Sequence, residues 1–172
     1  MSPLPDQLTE TLTLPQTIKI LVGTMTGTAE LVADEIKGVI ETETDCDVQI
    51  LPLDDLGIDV LEGGGLFVVC TSTYGQGDVP DNAMTFYDNL GKARPDLSNV
   101  DFAVFGLGDS TYEDTYNFGG KKFDDLFAAL GARRICERSK HDASGPRIPE
   151  DQAVEWVRGW IAAAVPAKAA AD

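Results

Sequence analysis

The run Thr17-Ile18-Lys19-Ile20-Leu21-Val22-Gly23-Thr24-Met25-Thr26-Gly27-Thr28-Ala29-Glu30 constrains the fold most, because within it a strand passes into a helix across a few Thr and Gly residues. Its first half is nearly all apolar and rich in β-branched residues, as suits a strand covered on both faces. From Ala29 the apolar positions take helical spacing. A helix begins with unpaired backbone N–H groups and the positive end of its dipole, so a loop placed there can hold a phosphate. Gly27 lets the backbone approach closely, and Thr24, Thr26 and Thr28 supply hydroxyl donors around Met25. No Lys or Arg lies in the loop, which argues against a nucleoside-triphosphate P-loop and for a single monoester phosphate. An ordinary hydroxyl-rich helix start satisfies the same pattern.

Further along, apolar strands and amphipathic helices alternate. Ala29 to Glu41 reads as a helix with Val32, Ile36, Val39 and Ile40 inward, and Asp47 to Leu51 reads as a second strand closed by Pro52. Leu66-Phe67-Val68-Val69-Cys70-Thr71-Ser72 has no polar alternation and is expected to be central. Pro80 opens a helix that Gly91 is expected to stop, and Val100 to Gly106 is a fourth strand. Phe123, Leu126, Phe127 and Leu130 mark a helix closed by Gly131. Arg133 to Glu137 is a weaker fifth strand and Ser139 to Ile148 a polar loop. Glu150 to Ala164 is the last helix, with Val154, Val157, Trp160 and Ile161 inward. Such a chain folds as α/β, a parallel sheet with helices on both faces.

The length suits one domain over residues 17–165, with residues 1–16 an N-terminal arm and 166–172 an Ala-rich tail. Thirteen Lys and Arg against twenty-nine Asp and Glu give a net charge of −16. That excludes nucleic acid and anionic membranes as natural partners and favours a protein with a basic face, unless the acidity serves only solubility. Cys46, Cys70 and Cys136 form no C-x-x-C pair, so neither a disulfide framework nor a zinc site is expected, which fits a cytoplasmic, monomeric protein. His141 is the only histidine, which removes most histidine-based metal and triad sites; it is expected to be a loop residue and not a ligand. No leader or membrane-spanning run is visible.

In a sheet of this kind ligands bind beyond the carboxyl ends of the central strands. There the chain places Thr73-Tyr74-Gly75-Gln76-Gly77-Asp78 and Gly106-Leu107-Gly108-Asp109-Ser110-Thr111-Tyr112. Two aromatics flanking one mouth can stack a flat heteroaromatic ring, with Asp109 and backbone amides at its polar edge. A flat ligand carrying one phosphate suggests flavin mononucleotide, FMN. Neither glycine pair completes the G-x-G-x-x-G fingerprint or follows the first strand, so NAD is not expected. Tyr74 and Tyr112 can also serve as plain loop tyrosines, and Asp109 can cap its own turn.

Thr24-x-Thr26-Gly27-Thr28, Ser72-Thr73-Tyr74-Gly75-x-Gly77-Asp78 and Gly106-Leu107-Gly108-Asp109-Ser110-x-Tyr112-Glu113 resemble the flavin loops of flavodoxins and of the flavodoxin-like domains of diflavin reductases. The resemblance covers Thr17 to Ala164. The chain length and Ile148-Pro149-Glu150-Asp151 before a Trp-containing helix resemble short stand-alone flavodoxins of the MioC type. The resemblance implies a three-layer fold with a five-stranded parallel sheet in the order 2-1-3-4-5, non-covalent FMN and one-electron transfer. It implies that Thr24, Thr26, Gly27 and Thr28 hold the phosphate, that Tyr74 and Tyr112 flank the ring, and that Asp109 meets its pyrimidine edge. Met25, Ser72, Thr73, Gln76, Gly77, Gly106, Leu107, Gly108 and Asn117 complete the lining, and the peptide after Gly75 turns its carbonyl toward the reduced ring. The spacing from Tyr112 to Asn117 is slightly longer than in common relatives, which leaves Tyr116 as an alternative to Tyr112.

The expectation is a soluble, low-potential one-electron carrier, not an enzyme, serving a basic-faced flavodoxin or ferredoxin reductase and acceptor enzymes. The alternative is an FMN-dependent reductase or the FMN subunit of a larger reductase, although no second cofactor signature is found. A phosphorylation-controlled receiver domain shares the strand order. It needs acids after the first strand and an Asp ending the third, where this chain has Thr24-Met25 and Thr71-Ser72.

Overall fold

The computed structural model describes residues 17–24, 27–54, 56–74 and 76–164. The expected N-terminal arm and C-terminal tail, with Met25, Thr26, Asp55 and Gly75, lie outside the described residues. The elements are β1 Thr17–Gly23, α1 Thr28–Glu43, β2 Asp47–Pro52, β3 Gly65–Thr71, α2 Asp81–Ala93, β4 Val100–Gly108, α3 Phe118–Ala129, β5 Arg133–Arg134, β6 Ser139–Asp142 and α4 Pro149–Ala164. Short 3₁₀ turns lie at Ile58–Leu61 and Glu113–Thr115.

The strands run in the order β2-β1-β3-β4-β5, all parallel, with β6 also paired to β4. Lack of alternation in the central strands has a direct cause. Successive residues point to opposite faces, and both faces are covered. Ile20, Val68 and Ala103 face Val32, Ile36, Val157 and Ile161 of α1 and α4, whereas Leu21, Val69 and Val104 face Phe86, Leu90, Phe123 and Phe127 of α2 and α3. A polar residue on either face of β3 would enter a core.

The edge differs from expectation. The fifth strand is not the single segment Arg133 to Glu137, and Ser139-Lys140-His141-Asp142 is not loop. Phe102 of β4 pairs with Arg134 and Phe105 with Ser139, so Ala103 and Val104 oppose the four residues Ile135 to Arg138. This bulge has visible causes. Ile135 and Cys136 turn onto the α1/α4 core, while Arg134 Nε and Arg138 Nη1 both donate to Asp124 of α3, each at 2.7 Å. A polar segment can then resume the ladder because an edge strand pairs on one side only. Pairing of Leu107 with His141 and Gly108 with Asp142 also carries β4 past its expected end at Gly106. A further correction is Gly91, which does not stop α2. A side chain there would meet open space, and the helix continues to Ala93 before Arg94 turns at φ 47°.

Among the described residues no helix is long and apolar enough to cross a membrane, and no cluster of His, Cys, Asp and Glu could hold a metal ion. The cysteines are free; Cys46 and Cys70 are buried and Cys136 half-buried. Burial raises the Cys70 thiol pKa, and that of Cys136 is pushed up to about 12 by burial and then by the Asp124 and Glu137 charges.

Candidate functional site: a cleft at the carboxyl ends of β1, β3 and β4

A cleft of about 980 Å³ opens where the loops after β3 and β4 meet the starts of α1 and α4. Beside it the chain passes from β1 to α1. Gly27, at φ 95°, occupies the left-handed region that favours glycine and caps the helix. Its N–H donates to the Thr24 hydroxyl at 2.8 Å. The Thr24 N–H donates to Asn82 Oδ1 at 2.8 Å, and the Asn82 amide nitrogen donates to the Val22 carbonyl and to Asp54. Asn82, in the first turn of α2, therefore fixes the start of this loop. Sequence patterning offered no sign of it beyond a polar residue in a helix start. Thr28 opens α1 and lines the cleft, while Thr24 and Gly27 lie beside it. Met25 and Thr26 fall outside the described residues.

Past β3, backbone bonds of 2.8 Å in both directions between Tyr74 and Asp78 pinch the chain into a narrow turn. The turn leaves Tyr74 43 % exposed at the cleft and Gln76 on the surface, while Gly77 is buried under it. The Thr73 hydroxyl accepts the Gly119 N–H of α3 at 3.0 Å, and the Ser72 carbonyl occupies the space where a Gly119 side chain would stand. Ser72 and Thr73 thus line the cleft and anchor α3 at once.

Beyond β4, Gly106 and Gly108 have a role that a nucleotide fingerprint does not describe. They make room for Asn117, fully buried at φ 58°: a Cβ on Gly108 would lie 2.8 Å from its backbone nitrogen, and one on Gly106 would strike its Oδ1. The Asn117 amide nitrogen donates to the His141 carbonyl at 3.1 Å, joining α3 to β6 under the cleft. Asp109 Oδ1 accepts the backbone N–H and hydroxyl of Thr111, so it does cap its own turn while lining the cleft. The turn presents Tyr112, 67 % exposed. The Tyr116 hydroxyl donates to the Lys140 carbonyl, and its pKa is raised by burial and then by the Asp142 charge.

Asp142 ties these loops together. It accepts the Ser110 N–H at 3.0 Å, the Ser144 N–H at 2.9 Å and the Ser144 hydroxyl at 2.7 Å, and hydrogen bonding from the Ser110 side chain and backbone, and then from Ser144, holds its carboxyl well below the usual carboxylate range. Of the residues expected at the site, Thr28, Ser72, Thr73, Tyr74, Leu107, Gly108, Asp109, Tyr112, Tyr116 and Asn117 line one cleft. The histidine expectation fails: His141 is not a loop residue but lies on β6, 4 % exposed, in the cleft wall. Arg147, Ile148 and Pro149 complete that wall. A single histidine in a polar stretch has no periodicity to mark it.

The donor set fits a flavin bearing one phosphate: a glycine-capped helix start without cations, two exposed tyrosines, and a polar floor sealed by Asn117. A match to the protein-family model described as Flavodoxin covers residues 20–156. The MioC homolog protein of Haemophilus influenzae is 35% identical over 144 residues, spanning 84% of this chain and 96% of that protein. NADPH–cytochrome P450 reductase of Homo sapiens is 40% identical over 138 residues, 78% of this chain and 20% of that protein. Among solved structures, a point mutant of flavodoxin from Pseudomonas aeruginosa superposes with a TM-score of 0.77 at 33% identity, covering 86% of this chain and 98% of that one.

Proposed function

Because this chain belongs to the flavodoxin family, whose cofactor is FMN, we propose that it is a low-potential one-electron carrier between a reductase and acceptor enzymes. The observation that supports this most is the cleft itself, where Tyr74 and Tyr112 stand exposed on the loops after β3 and β4, beside the cation-free start of α1. FMN bound there would supply reversible one-electron chemistry. Thr28 and the loop from Thr24 would hold the phosphate, the two tyrosines would exclude water from the ring faces, and Asp109 would border its polar edge. Asp109 in the cleft wall and Asp142 behind it, in a chain of net charge −16, disfavour added negative charge in the cleft and so favour a low potential, while among the described residues the one cation in the wall, Arg147, is paired with Glu155. The same charge selects partners with basic faces.

The likeness to a fifth of NADPH–cytochrome P450 reductase supports a second reading, an FMN module of a reductase assembly. Visible spectroscopy during a reductive titration tests both. A carrier is yellow, releases FMN on denaturation, and stays oxidised with NADPH alone until a reductase is added. Electron transfer confined to one NADPH-oxidising subunit that co-purifies with this chain would replace the carrier reading with that of an FMN module, and a colourless protein that takes up no FMN would overturn both.

A further inference from the structure

Resting on the flavodoxin reading, we propose that His141 is a cofactor-binding residue, whose Nε2 accepts a hydrogen bond from a neutral N–H or O–H donor of the bound flavin. Its tautomer follows from its neighbours. Gln152 of α4 places its amide nitrogen 3.3 Å from the Lys140 carbonyl and 3.2 Å from the Ser139 hydroxyl. A carbonyl only accepts, so the amide oxygen of Gln152 must be the atom 2.8 Å from His141 Nδ1. An amide oxygen cannot donate, so in the neutral ring Nδ1 carries the proton and Nε2 keeps its lone pair. The backbone that carries the ring is held too, because the His141 carbonyl accepts the Asn117 amide.

His141 is 4 % exposed, lines the cleft, and makes no hydrogen bond through Nε2 among the described residues. The residue is buried but the cleft reaches this atom, so Nε2 is an acceptor open to whatever the cleft holds, fixed in place and ready for a donor. The flavin offers neutral donors of two kinds, the ring imide N–H and the ribityl hydroxyls. The phosphate offers none when fully ionised, and a lone pair would repel it. Nε2 therefore selects the uncharged part of the cofactor, complementing the phosphate grip at α1.

Because the chain has one histidine, long-range ¹H–¹⁵N correlation spectra report this ring without assignment ambiguity. At a pH where the ring is neutral, the FMN-free protein is expected to show the Nδ1–H tautomer with a bare Nε2, and FMN should move the Nε2 resonance while leaving Nδ1 in place. A flavin-induced shift that lumiflavin reproduces assigns the donor to the ring; a shift with FMN but not with bound lumiflavin assigns it to the ribityl chain. His141→Phe should weaken FMN about tenfold, the scale of one buried hydrogen bond. The wild-type spectra decide the matter even if that variant does not fold. FMN uptake seen by absorbance with an unmoved Nε2, or a neutral ring protonated at Nε2 in the FMN-free protein, overturns the proposal and leaves the flavodoxin reading standing; absence of FMN uptake overturns both.

Discussion

Two clefts of similar volume, about 980 and 890 Å³, lie at opposite ends of the same sheet and have unlike walls. The first receives the carboxyl ends of the strands and the starts of α1 and α4. The second lies between the turn Ile58–Leu61 and the end of α2, and it has no aromatic residue in its wall. Helix starts present N–H groups and partial positive charge, and helix ends present carbonyls; the second cleft adds Asp59, Glu62 and Asp96 to that negative end. Volume does not separate them. Direction does: in a parallel sheet every strand and every following helix point their ligand-holding ends to one side.

The largest effect should come from the ring contact. Tyr74→Ala is expected to weaken FMN by about 10- to 100-fold, the scale of one stacked aromatic, whereas Lys92→Ala in the second cleft should leave it unchanged; flavin fluorescence titration measures both. Equal losses would erase the distinction. Next come two glycines. Gly108→Ala must drive a Cβ against the Asn117 backbone and should cost about 1–3 kcal/mol, lowering the melting temperature by roughly 2–4 °C per kcal/mol. Gly91→Ala, on the helix bordering the second cleft and facing open space, should raise stability by about 0.5–1 kcal/mol.

Acid should act on the first cleft through Asp142. Its folded carboxyl lies below the ordinary value of 3.8, so the stability it contributes is complete above that value and is lost as pH falls below it. Asp142→Asn should melt earlier than wild type at neutral pH and show a shallower acid decline, read from thermal unfolding across about pH 2 to 6. An unchanged acid limb would mean that Ser110 and Ser144 do not hold this carboxylate in solution. The smallest effect concerns docking. Neutralising Glu113 and Asp114 beside Tyr112 should slow electron transfer to a basic reductase by about twofold and reduce its salt dependence. The same changes at Asp59 and Glu62 should not.

The central sheet was legible because β1, β3 and β4 are apolar on both faces, a pattern with few other uses in a chain of this length. The edge was not. Arg134 and Arg138 are explained by Asp124, ten and fourteen residues away in sequence, and no local pattern announces such a pair. Within the site, the loops carrying Tyr74 and Tyr112 stood out by composition, and the turn-capping use of Asp109 was one of two open readings. The roles of Asn117, His141 and Asn82 were hidden because each depends on a partner at long range. Gly106-x-Gly108 shows why: a glycine pair marks a close approach without saying what approaches.

The broken last strand bears on how crowded such a molecule can be. A continuous edge of unpaired N–H and C=O groups is a template on which another copy can add a strand. Here one margin of the sheet is cut into pieces of two and four residues by the Ile135 to Arg138 bulge, and Arg133 is occupied with Asp101. The other margin, β2, opens on an exposed Asp47 and closes on Pro52, which has no N–H to offer. The first margin thus offers no continuous ladder to extend, and on the second the Pro52 end cannot donate.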